Sequence, residues 1–533
     1  MRAQVRFTRG IVGLTVVALP LALLAAAGGA GPAGAVAAAC SGVPQDVNGD
    51  GFADLAVGEP GSGGGKVHVF YGTPTGLATV ATGDAPDDQI FAQGVGGVPG
   101  TDTKGDAFGA TTLLDDLNDD GCADLAIGVP GNNTRTGAVV VLYGSTTGIR
   151  TAGARFLTQA SLNPLQPRPQ TEDQFGASLA AGDFNGDNLR DLAVGVPFDL
   201  PVNFATGFRG TVNVFYGNAA GLGRGLTETL DQDSPRIGGA AEDGDLFGFA
   251  LASADFNSDG RDDLAVGVPG ENSDSGLVHV LYGDRLGFDN RVSSDWSQDK
   301  AGVPGVSEAG DDFGWALATG DVNGDGNPDL VVGTPGENKG AGMVTTLLAD
   351  PVTKRVAATG ARSLGQATPN VVGDPGTGDW FGYSLAVGRF DGDAFADLAV
   401  GVPNDWIGPL RKVGSVNLFK GSAVGPVASS LASGDYGGGR FSQDTGNVPG
   451  RSETGDGFGL ALQARAIQGP GLDNLVIAAP SEKIGTVAKA GTFVVLSVTS
   501  VRPEAAGSQG IDSNTPNVAG AGVTNGQLGW WMG

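Results

Sequence analysis

The chain has 533 residues, 94 of them glycine, with 58 acidic against 31 basic side chains and a formal net charge of −27. That charge disfavours nucleic acid, whose phosphates would be repelled, and the glycines follow no Gly-X-Y period, which excludes a collagen-like chain. The balance suits a protein holding several divalent cations, because much of the aspartate falls in one recurring stretch.

The first predicted element is a leader. Arg2, Arg6 and Arg9 precede an apolar run from Ile11 to Ala27, and Ala35-Val36-Ala37 offers a cleavage site. Residues 1–39 therefore read as a signal peptide removed on export. A retained membrane anchor, which needs about 20 apolar residues, is the competing reading. No later segment is apolar enough to span a membrane, so the mature chain is expected to be soluble and extracellular. Cys40 and Cys122 are the two cysteines. Export permits a disulfide between them; a lipid anchor on Cys40 and two free thiols are the alternatives, although Ala37-Ala38-Ala39 matches a Leu-led lipoprotein signal poorly.

From residue 40 onward one stretch recurs: DVNGDGFADLAVGEP (46–60), DLNDDGCADLAIGVP (116–130), DFNGDNLRDLAVGVP (183–197), DFNSDGRDDLAVGVP (255–269) and DVNGDGNPDLVVGTP (321–335). RFDGDAFADLAVGVP (389–403) and AIQGPGLDNLVIAAP (466–480) are weaker copies. The starts lie 70, 67, 72, 66, 68 and 77 residues apart, so this is a repeat protein. Residues 244–290 display the unit. An alternating run, GDLFGFALASAD, is a first strand; DFNSDGRDD turns the chain into a buried second strand, LAVGVP. A polar loop, PGENSDSG, leads to a third strand, VHVLYG, and DRLGF turns toward a fourth. Short strands separated by Gly, Pro, Asn and Asp are an all-β signature, and four antiparallel strands per period describe a propeller blade.

The chain ends explain each other. Phe108, Phe175, Phe247, Phe313, Phe381 and Phe458 each begin a Phe-Gly pair eight residues before an acidic loop. The loop at Asp46 has no such pair upstream, while Leu528-Gly529 is a pair of this kind without a loop. The predicted fold is an all-β, seven-bladed propeller over residues 40–533, with four-stranded antiparallel blades and a ring closed by pairing of the N- and C-terminal segments. Closure removes exposed sheet edges.

In the first acidic loop the candidate ligands are Asp46, Asn48, Asp50, the Phe52 carbonyl and Asp54. Alternate spacing aims successive oxygens at one centre, and hard oxygen donors in a flexible loop select calcium over magnesium. The corresponding sets are Asp116, Asn118, Asp120, Cys122 and Asp124; Asp183, Asn185, Asp187, Leu189 and Asp191; Asp255, Asn257, Asp259, Arg261 and Asp263; and Asp321, Asn323, Asp325, Asn327 and Asp329. An EF-hand would place Glu at loop position 12, where this chain has Val57 and its equivalents. The sixth loop begins with Arg389 but keeps Asp391, Asp393, Phe395 and Asp397, a doubtful site. The seventh, with Gln468, Pro470 and Asn474, is expected to hold no ion. The bland alternative for all of them is an Asp/Gly-rich turn without metal.

The Phe-Gly pair, the D-x-[DN]-x-D-G-x-x-D loop and the Gly-x-Pro at the strand end resemble FG-GAP repeats, as in the seven-bladed propeller of integrin α subunits. The resemblance covers roughly residues 41–533 and implies calcium hairpins on one face and partner binding on the other. It departs from integrins in lacking leg domains, an inserted ligand-binding domain and a membrane span. The same repeats occur beside the catalytic domain of glycosylphosphatidylinositol-specific phospholipase D, and that domain has no counterpart here.

His68 and His279 occupy equivalent third-strand places, and no HExxH or nucleophile-elbow motif is present. The expectation is therefore a secreted binding or adhesion module rather than an enzyme. An extracellular phospholipase-like hydrolase and a passive scaffold are the alternatives. Two second-to-third loops, residues 197–210 and 403–414, carry Phe198, Phe204, Phe208, Arg209, Trp406, Arg411 and Lys412. This is hot-spot chemistry for an extracellular protein or glycan ligand. The competing reading folds these side chains back over the ring.

Overall fold

A computed structural model describes residues 40, 42–79, 88–162, 169–199, 207–218, 221–223, 225–288, 292–428, 439–498, 503–516, 518, 524–530 and 532. The expected leader and Phe204 lie outside them. Within residues 39–533, which form one compact unit, six sheets have four antiparallel strands each in sequence order. The fourth blade runs Ala250–Ala254, Asp263–Val268, Leu277–Leu281 and Ser294–Trp296. Its second strand is buried along its whole length, because it is flanked by strands on both edges and packed by neighbouring blades on both faces. That double burial explains why LAVGV is continuously apolar rather than alternating.

The first blade has three strands of its own, Leu55–Glu59, Lys66–Phe70 and Asp88–Phe91. Its innermost place is met from the far end of the chain. Met532 forms an antiparallel bridge with Val57, and the Gly529 amide donates to the Gly58 carbonyl at 3.0 Å. The same bond joins Gly109 to Gly128, Gly314 to Gly333 and Gly382 to Gly401 inside single blades. The Leu528 amide donates to Ala490, as the Phe458 amide donates to Val413 one blade earlier.

Seven apolar clusters fill the spaces between blades. One combines Leu55, Val57 and Phe70 near the N-terminus with Val476, Ala478, Phe493, Leu528 and Met532 near the C-terminus. The repeated glycines set how closely blades approach. Gly58 lies against the Gly109 carbonyl, Gly195 against that of Gly248 and Gly333 against that of Gly382, with no room for a Cβ. At the seventh interface Ala478 meets Gly529 instead, and a Cβ there would sit 3.0 Å from the alanine methyl.

Short turns in three second-to-third loops carry consecutive residues at positive φ, such as Asn272, Ser273 and Asp274. Among the described residues no helix is long and apolar enough to cross a membrane. The acidic loops follow the C-terminal ends of the inner strands, and the Phe-Gly pairs precede their N-terminal ends. The two features therefore mark opposite faces.

Candidate cation loops and the opposite face

Each complete acidic loop is organised by its first aspartate. Asp46 accepts the amides of Gly49 at 2.6 Å and Gly51 at 2.7 Å, and Asp183, Asp255 and Asp321 accept the equivalent amide five residues on. The ninth-position aspartate is a pin. Asp54 is fully buried and accepts Val47 N–H and Gly72 N–H, both at 2.8 Å, so it ties the loop to the end of the third strand. Asp124, Asp191, Asp329 and Asp397 repeat both bonds. Asp263 takes the second, from Gly283 at 2.8 Å. Burial drives the carboxyls of Asp54, Asp124, Asp191 and Asp329 up, with the amide bonds opposing and the other loop aspartates adding. Asp124 reaches about 8, and Asp191 and Asp329 about 7.

Asn48, Asn185 and Asn323 hold their amide oxygens within the loop, accepting from Asp50, Asp187 and Asp325. Asn118 and Asn257 instead turn the amide nitrogen toward Asp124 and Asp263. The donor set is all oxygen in the loops of Asp46, Asp183 and Asp321, and in the other two once the Asn118 and Asn257 amides turn their oxygens inward, which matches calcium chemistry. The aspartates alone do not converge. Among the described residues, the group of Cys, His, Asp or Glu atoms close enough to share an ion is Cys40, Asp120 and Cys122. Its two sulfurs are joined in a disulfide across 82 residues, which removes that group as a metal centre and leaves Cys40 no free sulfur for a lipid. Completing a loop site falls to the Asn and carbonyl oxygens at alternate positions.

The sixth loop differs for a reason absent from its own sequence. The Lys420 ammonium, from the end of the third strand, lies 2.7 Å from Asp391 and 3.2 Å from Asp393, and these carboxylates hold its pKa above the ordinary lysine value. A protein cation already stands among the oxygens of that loop. Four other blades have Tyr-Gly where this blade has Lys420-Gly421. In the seventh loop Asn474 bonds Gln468 and the Leu496 carbonyl, an all-neutral version of the pin.

A second repeated acidic pattern was missed. Two residues before each Phe-Gly stands Asp106, Asp173, Asp245, Asp311, Asp379 or Asp456, all buried. Opposite them, after the Gly-x-Pro, stand Asp199, Glu271, Glu337, Asp405 and Glu482, four of which accept from a glutamine beyond a fourth strand: Gln159, Gln232, Gln298 and Gln443. Burial first, then the facing carboxylate, pushes Asp173 up to about 8 and Asp245 and Asp456 to about 7. The D-x-F-G spacing was the available clue.

On the Phe-Gly face the predicted rim residues divide. Trp406 is 49% exposed with Arg411 stacked 4.5 Å above its ring, and Lys412 is exposed beside it. Phe208 is 43% exposed and meets Phe198 edge to face at 5.7 Å. Arg209 turns inward, donating to the Ala241 carbonyl with Asp243 3.6 Å away; it ties two loops and is no free anchor. His68 and His279 are buried on third strands, 3.2 Å from Glu59 and 3.1 Å from Asp295.

Comparison with known proteins adds the lineage. The FG-GAP repeat model matches residues 42–70, 108–142, 175–214, 247–281 and 313–347. The chain is an FG-GAP repeat protein. Over 224 residues it is 34% identical to the phosphatidylinositol-glycan-specific phospholipases D of Rattus norvegicus and Homo sapiens, covering 40% of this chain and 24% of theirs. It is 30% identical over 263 residues to integrin alpha-PS2 of Drosophila melanogaster, covering 46% of this chain and 16% of that one. The chain thus spans about a quarter, or less, of the relatives it matches. These findings correct the expectation that the chain is not an enzyme. That expectation rested on the lack of catalytic motifs within the repeats, whereas the repeats themselves are shared with proteins named as hydrolases.

Proposed function

We propose that this chain is a secreted, calcium-loaded FG-GAP propeller that serves hydrolysis of a glycan-bearing phospholipid, engaging it on the Phe-Gly face. The observation that carries this reading is the 34% identical segment shared with phosphatidylinositol-glycan-specific phospholipases D. The geometry supports it. Calcium would be held by the five complete loops, through Asp46, Asp116, Asp183, Asp255 and Asp321 and their alternate oxygen partners, where it supplies charge compensation and hairpin rigidity. The opposite face is left for substrate. The test uses vesicles displaying a reporter protein on a phosphatidylinositol-glycan anchor. Release of the reporter with phosphatidic acid left in the membrane is the expected result, weakened by EDTA. No release at any calcium level would overturn the hydrolase reading.

A second reading, capture of an extracellular protein, is favoured by the exposed Trp406–Arg411 stack and by the kinship with integrin α chains. Trp406→Ala would then weaken a captured partner roughly tenfold or more, the usual size of a hot-spot truncation, without changing vesicle hydrolysis.

A further inference from the structure

The seven residues that follow the Phe-Gly pairs, or the Leu-Gly pair that replaces one, are Ala110, Ala177, Phe249, Trp315, Tyr383, Leu460 and Trp530. They stand just before the inner strands, so they ring the axis at the Phe-Gly face. Their sizes are uneven: aromatic rings stand on three consecutive blades, while Ala110 and Ala177 leave room on the two blades between Phe249 and Trp530. Phe249 and Trp315 lie 4.7 Å apart at 47°, Trp315 and Tyr383 5.4 Å apart at 46°, and Trp380, 40% exposed, stacks on Tyr383 at 5.5 Å. Between this curved wall and Ala177 lies a cavity of about 360 Å³ that also touches Phe198, Gln174 and Trp530. That is within the roughly 300–1,000 Å³ of small-molecule sites, which pair aromatic walls with a few polar groups.

We propose that this cavity is a carbohydrate subsite, in which one neutral pyranose ring stacks its C–H face on Trp315 between Phe249 and Tyr383. No carboxylate, lysine or arginine lines it. A bound cation would surrender its hydration to ring faces alone, without a countercharge, whereas a neutral sugar needs apolar faces and a few hydrogen-bonding groups. Those groups are at hand. Among the described residues, no hydrogen bond engages the Gln174 side-chain amide or the Tyr383 hydroxyl, and burial holds the Tyr383 phenol neutral. The inference deepens the glycan part of the function proposed above, and it stands or falls without the hydrolysis.

The test is titration of the whole chain with soluble neutral tetrasaccharides of glucose, mannose and galactose, followed by tryptophan fluorescence and calorimetry. These probes contain no phosphodiester, so sugar binding and vesicle hydrolysis fail independently. At least one sugar is expected to bind, with Trp315→Leu weakening it tenfold or more and Trp315→Phe largely retaining it. Leucine already occupies this place as Leu460, so Trp315→Leu should fold, and an unchanged melt verifies that. Leu286→Ala, on an exposed turn outside the cavity, should bind as the parent does. Absence of binding for all three sugars, equal affinity in Trp315→Leu, or Trp315-dependent binding of tetramethylammonium in place of sugar would each overturn the proposal.

Discussion

Lys420 shows how one side chain redefines a loop. It stands where Tyr71, Tyr143, Tyr216 and Tyr282 stand in other blades, and it places its ammonium against the buried Asp391. Truncation leaves that buried carboxylate with the Asp393 amide but without a countercharge. Lys420→Met should therefore destabilise the protein by about 1–3 kcal/mol, read by urea unfolding in EDTA, where any bound cation is removed. A neutral effect would mean the pair is solvent-screened. The facing pair Asp456 and Glu482 makes a different residue-scale prediction. Burial, then the charges of Glu482 and Glu453, raises Asp456 from 3.8 to about 7, so in that window the folded state binds the extra proton. The stabilisation is complete below the unfolded value and is lost as pH rises through about 7. Asp173 and Asp245 act in the same direction. Asp456→Asn should flatten the fall in melting temperature between about pH 4 and about pH 7 relative to the parent. Parallel curves would show that the pair does not share a proton.

At the scale of elements, the segment from Leu528 to Met532 is the most informative. Its bonds to Gly58, Ala490 and Val57 are those the internal Phe-Gly strands make within the ring, and Leu528 and Met532 are buried in the cluster that joins the first and last blades. Deleting residues 528–533 should expose the edge of Leu55–Glu59, whose backbone groups then lack partners. The expected outcome is aggregation or a broadened melt; parental melting with free proteolytic trimming of the tail would contradict it. Much of this architecture was legible. Strand alternation, the fixed eight-residue spacing and the unpaired Leu528-Gly529 lead to the seven blades because they are local patterns repeated in register. Lys420 was not legible as a loop-filling cation, because it reaches the loop from another strand. The Asp456–Glu482 type of pair hid for the same reason: D-x-F-G and the residue after Gly-x-Pro meet only once the blade folds. Arg209 read as an anchor because sequence gives a charge its place on the chain but not its direction.

For the whole molecule, a net charge of −27 is self-repelling, and the folded ring gathers much of it in hairpins on a single face. Five loops keep the complete oxygen set, the sixth holds a lysine ammonium, and the seventh is neutral. Extracellular calcium modules bind with dissociation constants of roughly 0.1–1 mM, and each bound ion stabilises the folded state by mass action. The central claim is that the five complete loops, and neither of the other two, are cation sites. Equilibrium dialysis against calcium at about ten times that range, with bound metal counted per chain, tests it most directly. Five ions per chain, falling to four in Asp325→Ala, is the predicted result. None, or a count unchanged by Asp325→Ala, would contradict it.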